Sequence, residues 1–245
     1  AGLFGCEVMA ISARDGGIRW RRFAGSGQQE MSYFGRPVRE AVPSPPAVTE
    51  DRIVVSTNLG TVAALDRRTG AWRWAHRYPQ VPLPNQGTMG ETEEIPKRLS
   101  GWRNAAPAVC GDVVVVAPTD CPWLLGLDLE DGSLRWRVTM HDPECGPLSV
   151  LAGAVEGRVL VAGTGGALAL DGATGRRLWV RRTECDGGRA GALDGATWLL
   201  PGRHALSVLD VRTGRLHQVR WGTVPGNPSV PLAGSVALAG GGLAV

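Results

Sequence analysis

The sequence predicts an all-β fold, a β-propeller of four-stranded antiparallel blades, and three observations carry that expectation. The first is a phrase that recurs five times: a short apolar run, Asp-x-x-Thr/Asp-Gly, then a stretch that in four copies places Trp four residues after the Gly. The copies run from Ser12 to Trp20 (with Ser in place of the leading Asp), Asp66 to Trp74, Asp128 to Trp136, Asp171 to Trp179, and Asp210 to Gln218, where the Trp is lost. Their glycines, Gly16, Gly70, Gly132, Gly175 and Gly214, stand 54, 62, 43 and 39 residues apart, a base period near 40 with two insertions. A period of that size denotes stacked supersecondary units. The second observation is that each period holds four short apolar or β-branched runs separated by Asn, Asp and Gly, which is hairpin chemistry. The third is that no window of about 12 residues or more spaces its apolar residues at the 3.6-residue period of a helix.

The unit from Ser44 to Tyr78 shows the grammar most clearly. Ala47-Val48 precedes the turn Glu50-Asp51-Arg52, Ile53 to Ser56 precedes the turn Asn58-Leu59-Gly60, and Val62 to Leu65 leads through Arg67-Arg68-Thr69-Gly70 to Trp72-Arg73-Trp74. The same order returns at Ala106 to Val138, Leu148 to Val180 and Gly191 to Val219. In the repeated turn, Asp and the Thr three residues on bind the turn backbone, and Gly takes the positive φ of a tight hairpin. Trp20, Trp74, Trp136 and Trp179 recur with the repeat, so they are expected to serve it by packing flat between blades. The predicted boundaries are a partial blade at 1–22, blades near 43–78, 104–139, 146–181 and 188–221, and a partial blade at 226–245. Within the first of these, Gly2 to Phe4 read as the end of a second strand and Val8 to Ser12 as a third. Leu243 to Val245 read as the start of a third strand after Ser235 to Ala239. Both ends thus fall inside repeats, and the chain reads as a piece of a longer propeller.

At 245 residues and 43% hydrophobic content the chain buries a sizeable core as one domain. Its net charge of +3 is small and dispersed, which argues against nucleic acid as a partner. Residues 222–245 carry no charge, yet Pro225, Pro228, Pro231 and Gly240-Gly241-Gly242 argue against a membrane-spanning helix there.

The phrase Ala/Leu-x-Leu-Asp-x-x-Thr-Gly-x-x-x-Trp resembles the propeller repeat of the quinoprotein (pyrroloquinoline-quinone-like) family, from Val8 to Val245. That family holds quinone dehydrogenases, the lipoprotein of the bacterial outer-membrane assembly machine, and sensors and scaffolds that bind no quinone. The resemblance implies a periplasmic or cell-surface location. It also implies, for a dehydrogenase, pyrroloquinoline quinone with a calcium ion held by Glu and Asn, a catalytic Asp, a Trp floor and a vicinal disulfide. This chain has no Cys-Cys pair, and of the Trp residues outside the repeat position only Trp102 and Trp123 fall in segments expected to be loops.

In a four-stranded meander the second-to-third turns and the blade-to-blade connectors share one face. Both long insertions, Arg21 to Pro43 and Arg77 to Arg103, are connectors, so that face is the candidate site. Cys6 and Cys121 are expected in second-to-third turns, Cys110 in a first-to-second turn, and Cys145 and Cys185 in connectors. Glu144-Cys145 and Glu184-Cys185, with Asp186, recur 40 residues apart and are expected to approach each other beside the axis. Three readings remain open for them: structural cysteines, free or paired; a partner-binding or pocket role; and a metal site, which the lack of Cys-x-x-Cys and of a His pair disfavours. Arg103, Asn104 and Asn227 are placed to point at the axis. The sequence therefore favours a non-catalytic, extracytoplasmic scaffold with no cofactor or metal, binding a protein or peptide through the connector face. A quinone- and calcium-dependent alcohol or sugar dehydrogenase and a receptor's ligand-sensing domain are the alternatives.

Overall fold

The computed structural model of the chain describes residues 2–29, 42–80, 102–183, 185, 191–202, 205–220, 237–239 and 242–244. Twenty-one strands are assigned among them, and no helix. A hairpin of β1 (Gly2–Ile11) and β2 (Ile18–Gln29) is followed by blade I, made of β3 (Ala47–Val48), β4 (Arg52–Ser56), β5 (Thr61–Asp66) and β6 (Trp72–Arg77). Blade II comprises β7 (Ala108–Cys110), β8 (Val113–Val116), β9 (Trp123–Asp128) and β10 (Leu134–Thr139). Blade III has a short extra strand, β11 (His141–Asp142), before β12 (Gly146–Val155), β13 (Arg158–Gly163), β14 (Gly166–Asp171) and β15 (Arg177–Arg182). Blade IV consists of β16 (Ala192–Asp194), β17 (Thr197–Pro201), β18 (Ala205–Asp210) and β19 (Leu216–Arg220), and β20 (Ala237–Ala239) and β21 (Gly242–Ala244) form a last hairpin. Each sheet is an antiparallel meander of consecutive strands.

Two expectations about the beginning of the chain are corrected. Gly2 to Ile11 is one strand, not the ends of two, and it pairs continuously with β2 as far as Gln29. Cys6 therefore lies within a strand instead of a turn, beside an irregularity at Cys6/Glu7 that absorbs the break. The hairpin also takes up the first nine residues expected of the connector that begins at Arg21.

The inner strands are buried on both faces, which explains their unbroken apolar runs. In β8, Val113 and Val115 enter the layer between blades II and III, whereas Val114 and Val116 enter the layer between I and II. The core is accordingly a row of inter-blade layers. Cys6 and Ala24 meet Val55, Leu59 and Ala63 in the first, and Val150, Leu160 and Trp179 meet Trp198, Leu200 and Leu209 in the fourth.

The repeated phrase builds each joint. The Asp66 carboxylate accepts from the Arg68 and Thr69 amides and the Thr69 hydroxyl, while the Gly70 amide closes on the Asp66 carbonyl. Asp128, Asp171 and Asp210 receive equivalent bonds. Each Trp then lies on the turn glycine of the following blade. A Cβ added at Gly70, Gly132, Gly175 or Gly214 would stand 2.6, 2.5, 2.6 or 2.6 Å from the ring of Trp20, Trp74, Trp136 or Trp179. Each indole N–H donates to the carbonyl just after that blade's leading Asp: Trp20 to Arg67, Trp74 to Leu129, Trp136 to Gly172 and Trp179 to Val211, at 2.9–3.2 Å.

A register shift accompanies each Trp. Ala64 pairs with Trp74 but Leu65 with Trp72, leaving Arg73 as an extra residue, and β2, β10 and β15 shift at the same place. Such a bulge re-aims the residues beyond it. In β19, where the sequence has Gln218, the pairing runs without a shift and Gln218 lies opposite Ser207. Its amide turns back to bond Thr183 and Ser207.

Candidate functional site

The connector face between blades I and II is organised by a polar cluster. Asn58, in the turn between β4 and β5, adopts a φ of 53°, a left-handed conformation that Asn tolerates better than most residues. Its Oδ1 accepts from the Thr119 amide at 3.1 Å, and its Nδ2 donates to the Val42 carbonyl at 2.6 Å and to Asn104 Oδ1 at 3.3 Å. Asn104 Nδ2 donates in turn to the Pro43 carbonyl at 3.1 Å. One asparagine pair thus ties the strand entries of blades I and II to the turn of blade I.

Asp120 is the second centre. Only 7% exposed, it accepts from the Gly60 amide (3.0 Å), the Tyr78 hydroxyl (2.7 Å) and Gln80 Nε2 (2.9 Å). Burial and the neighbouring carboxylate push the Tyr78 phenol well above its ordinary value, so it stays a donor. Asn58 and Asp120 were not singled out from the sequence. The signal was there: they lie 62 residues apart, the same interval as Gly70 and Gly132, so they are the same position of the repeat in successive blades.

Arg103 and Asn104 are exposed at this face, and the Arg103 amide donates to the Ser149 carbonyl at 2.7 Å. Glu144 and Cys145 form the tight turn between β11 and β12, where Asp142 Oδ1 accepts from both of their amides. Arg177 pairs with Asp142 at 3.1 Å and with Glu144 at 3.0 Å. Glu184, Asp186 and Asn227 lie outside the described residues, as do residues 81–101 of the second long connector.

The strands carry Cys145 and Cys185 into different layers of the core. Cys145 enters the layer between blades II and III and Cys185 the layer between III and IV, because equivalent connectors feed successive layers. All five cysteines are buried, as thiols and not as disulfides. Burial, reinforced by the Asp142 and Glu144 charges, pushes the Cys145 thiol up to about 11, and burial pushes Cys121 up to about 11. Both thiols are therefore held protonated near neutral pH.

Of the two tryptophans expected in loops, Trp102 lies in an irregular segment and Trp123 in a strand. Trp102 is 2% exposed within the layer between blades II and III, its indole nitrogen without a hydrogen-bond partner. Trp123 opens strand β9, and the Arg137 guanidinium sits 4.9 Å from its ring centre. Among the described residues, no three His, Cys, Asp or Glu side chains come together as a metal-binding group, and no helix is long and apolar enough to cross a membrane.

Solved structures share this architecture. BamB from Moraxella catarrhalis aligns with a TM-score of 0.55 and 21% identity over 88% of this chain and 63% of its own. The quinohemoprotein alcohol dehydrogenase of Comamonas testosteroni aligns at 0.52 and 18% identity over 72% of this chain and 34% of its own. A quinohemoprotein alcohol dehydrogenase of Pseudomonas putida HK5 aligns at 0.56 and 15% identity over 87% and 39%. The chain spans less than two thirds of each, and at these identities the likeness is one of fold. No curated protein sequence matches the chain significantly. The family model of the outer membrane protein assembly factor BamB matches residues 5–97 and 86–230, nearly the whole repeat array, and the chain belongs to that family of propeller-repeat proteins.

Proposed function

We propose that the protein is a non-catalytic scaffold, acting outside the cytoplasm, that holds a protein or peptide partner on its connector face. The observation that carries this reading is the Asn58–Asn104–Asp120 cluster, in which buried Asn58 and Asp120 fasten connectors and turns of two blades into one preorganised face. Preorganisation of this kind lowers the entropy lost when a partner docks. Beside the cluster, Arg103 is exposed and offers side-chain donors. The family's name, an outer membrane protein assembly factor, supports a protein partner and an extracytoplasmic location.

The quinone alternative finds little support in the residues described. Trp102 is packed inside a blade layer and Trp123 is covered by Arg137, so neither supplies a floor for a planar ring. The described carboxylates do not gather into a calcium donor set, and the sequence has no vicinal cysteines. These residues do not fit the cofactor.

The test places a photocrosslinking residue at Arg103 or Glu144, on the connector face, and at Arg68 or Asp131, on the opposite face. Discrete adducts with a protein from Arg103 and Glu144 alone support the scaffold reading. Adducts from both faces, or stoichiometric retention of pyrroloquinoline quinone after incubation with calcium and desalting, overturn it.

A further inference from the structure

In blade III an acidic stretch of the chain's own connector lies against the outer strand. Arg177, which opens β15, pairs with Asp142 at 3.1 Å and with Glu144 at 3.0 Å, and these flank Pro143 in the connector that enters the blade. The contact marks the side of an outer strand that meets the connector face. Arg177, Val180 and Arg182 stand opposite Leu170, Leu168 and Gly166, alternate residues of β14, so they share that side of β15.

The same side of the outer strands of blades I and II is basic and carries exposed apolar groups. In β6 the register sets Trp72, Ala75 and Arg77 opposite Leu65, Ala63 and Thr61, and in β10 it sets Leu134, Arg137 and Thr139 opposite Leu127, Leu125 and Trp123. Arg77 and Arg137 are exposed, with Trp72 at 43% and Leu134 at 45%. Among the described residues, no carboxylate pairs with either arginine; Arg137 is held instead over the Trp123 ring. The described carboxylates of the connector face are committed elsewhere, Asp120 to Gly60, Tyr78 and Gln80, and Asp142 and Glu144 to Arg177. On the other side of the same two strands, Arg73 is paired with Asp66, and Arg135 with Asp112 and Asp128. Uncompensated charge on β6 and β10 thus collects on the connector side.

We propose that this side of blades I and II binds an extended acidic segment of a protein partner, with carboxylates on Arg77 and Arg137 and apolar side chains on Trp72 and Leu134. The segment lies there as Asp142-Pro143-Glu144 lies on Arg177 in blade III. The proposal rests on the scaffold reading above and names the chemistry of its partner. Guanidinium forks match carboxylates in bidentate geometry. Packed sheets stand about 10 Å apart and an extended chain rises about 3.3 Å per residue, so arginines on successive blades correspond to carboxylates about three to four residues apart. Charge spread along a row in this way suits a line of carboxylates better than one compact phosphate group.

The test measures the fluorescence anisotropy of a labelled peptide, two copies of Asp-Pro-Glu-Leu, titrated with the full chain at low salt. The parent binds it and releases it as salt rises, and the counterpart built from Asn-Pro-Gln-Leu stays free. Arg77→Ala and Arg137→Ala each weaken binding about two- to fivefold and together about tenfold, while Arg68→Ala, on the opposite face, changes nothing. No binding by the parent, equal binding of the neutral peptide, or an equal loss in Arg68→Ala overturns the proposal. So does displacement of the peptide by vesicles of phosphatidylglycerol, which would give the arginines to a lipid surface. Crosslinked adducts from Arg103 and Glu144 alongside a peptide that fails to bind sink this proposal and leave the scaffold reading standing; failure of both removes that reading as well.

Discussion

Gly132→Ala and Gly111→Ala differ in a way that isolates the contact between an indole and the glycine beneath it. Both glycines hold positive φ, 75° and 63°, so each substitution carries the strain of a Cβ in the left-handed region, about 1–2 kcal/mol. At Gly111 nothing stands within 4 Å of the new Cβ, and the cost ends there. At Gly132 the Cβ would stand 2.5 Å from the Trp74 ring, far inside van der Waals contact. Overpacking of this kind adds about 1–3 kcal/mol. If the ring shifts to relieve it, the 3.0 Å bond from Trp74 to the Leu129 carbonyl weakens, at about 1 kcal/mol. Gly132→Ala is therefore expected to cost about 2–4 kcal/mol more than Gly111→Ala. Urea unfolding followed by Trp fluorescence measures both. Repeating the pair in a Trp74→Ala background, where the two costs should converge, closes the cycle. Equal losses in the parent background, within about 0.5 kcal/mol, would refute the joint described here.

Three further outcomes are expected. Asp120→Ala leaves the Gly60 amide and the Tyr78 hydroxyl buried without their acceptor, so it should cost about 2–5 kcal/mol in urea unfolding and reduce crosslinking from Arg103. The turn carboxylates of Asp66, Asp128, Asp171 and Asp210 are held below the ordinary 3.8, chiefly by hydrogen bonds from Thr69, Arg135, Thr174 and Thr213. Their stabilisation is complete above that value and drains as pH falls below it; Asp171→Asn with Asp210→Asn should flatten the acid limb of a stability profile, and an unchanged limb would count against it. His76 takes the place that Arg22 and Arg181 hold at other joints, where each guanidinium donates to a turn-glycine carbonyl. Burial lowers its pKa from the ordinary 6.5, against an opposing bond to the Gly132 backbone, so the folded state binds fewer protons than the unfolded chain. Stability should accordingly fall as pH drops below 6.5, and His76→Arg should remove that slope in thermal unfolding measured from pH 7 downward.

The joints were legible in the sequence because both halves of each contact recur. Trp and Gly return at fixed spacing, so Trp74 on Gly132 is visible as periodicity before any coordinate is known. What was hidden depends on pairing. Gly5 and Cys6 read as a turn, but ten residues of β1 find partners in β2, and ladder bonds outweigh a local break. His141-Asp142 gave no strand signal, since β11 is a polar two-residue strand on the edge of blade III. The spacing of Cys145 and Cys185 marks equivalent places in successive layers. Asn58 and Asp120 share a repeat position but not a residue type, so a search for identical letters passes over them.

Gln218 gives the array a mechanical direction. From the hairpin to blade IV every joint is clamped by an indole that spans it, and the row behaves as a stiff laminate. Beyond blade IV that clamp is missing: β19 lacks the bulge, and its Gln218 braces the blade against its predecessor. Among the described residues, the forward face of blade IV carries a small apolar cluster of Leu199 and Leu206, with Ala192 and Val208 packed against it. Bending strain imposed on the array, whether by a bound partner or by closure of a ring, will gather at that compliant seam, leaving the Asn58–Asp120 surface three blades away unflexed.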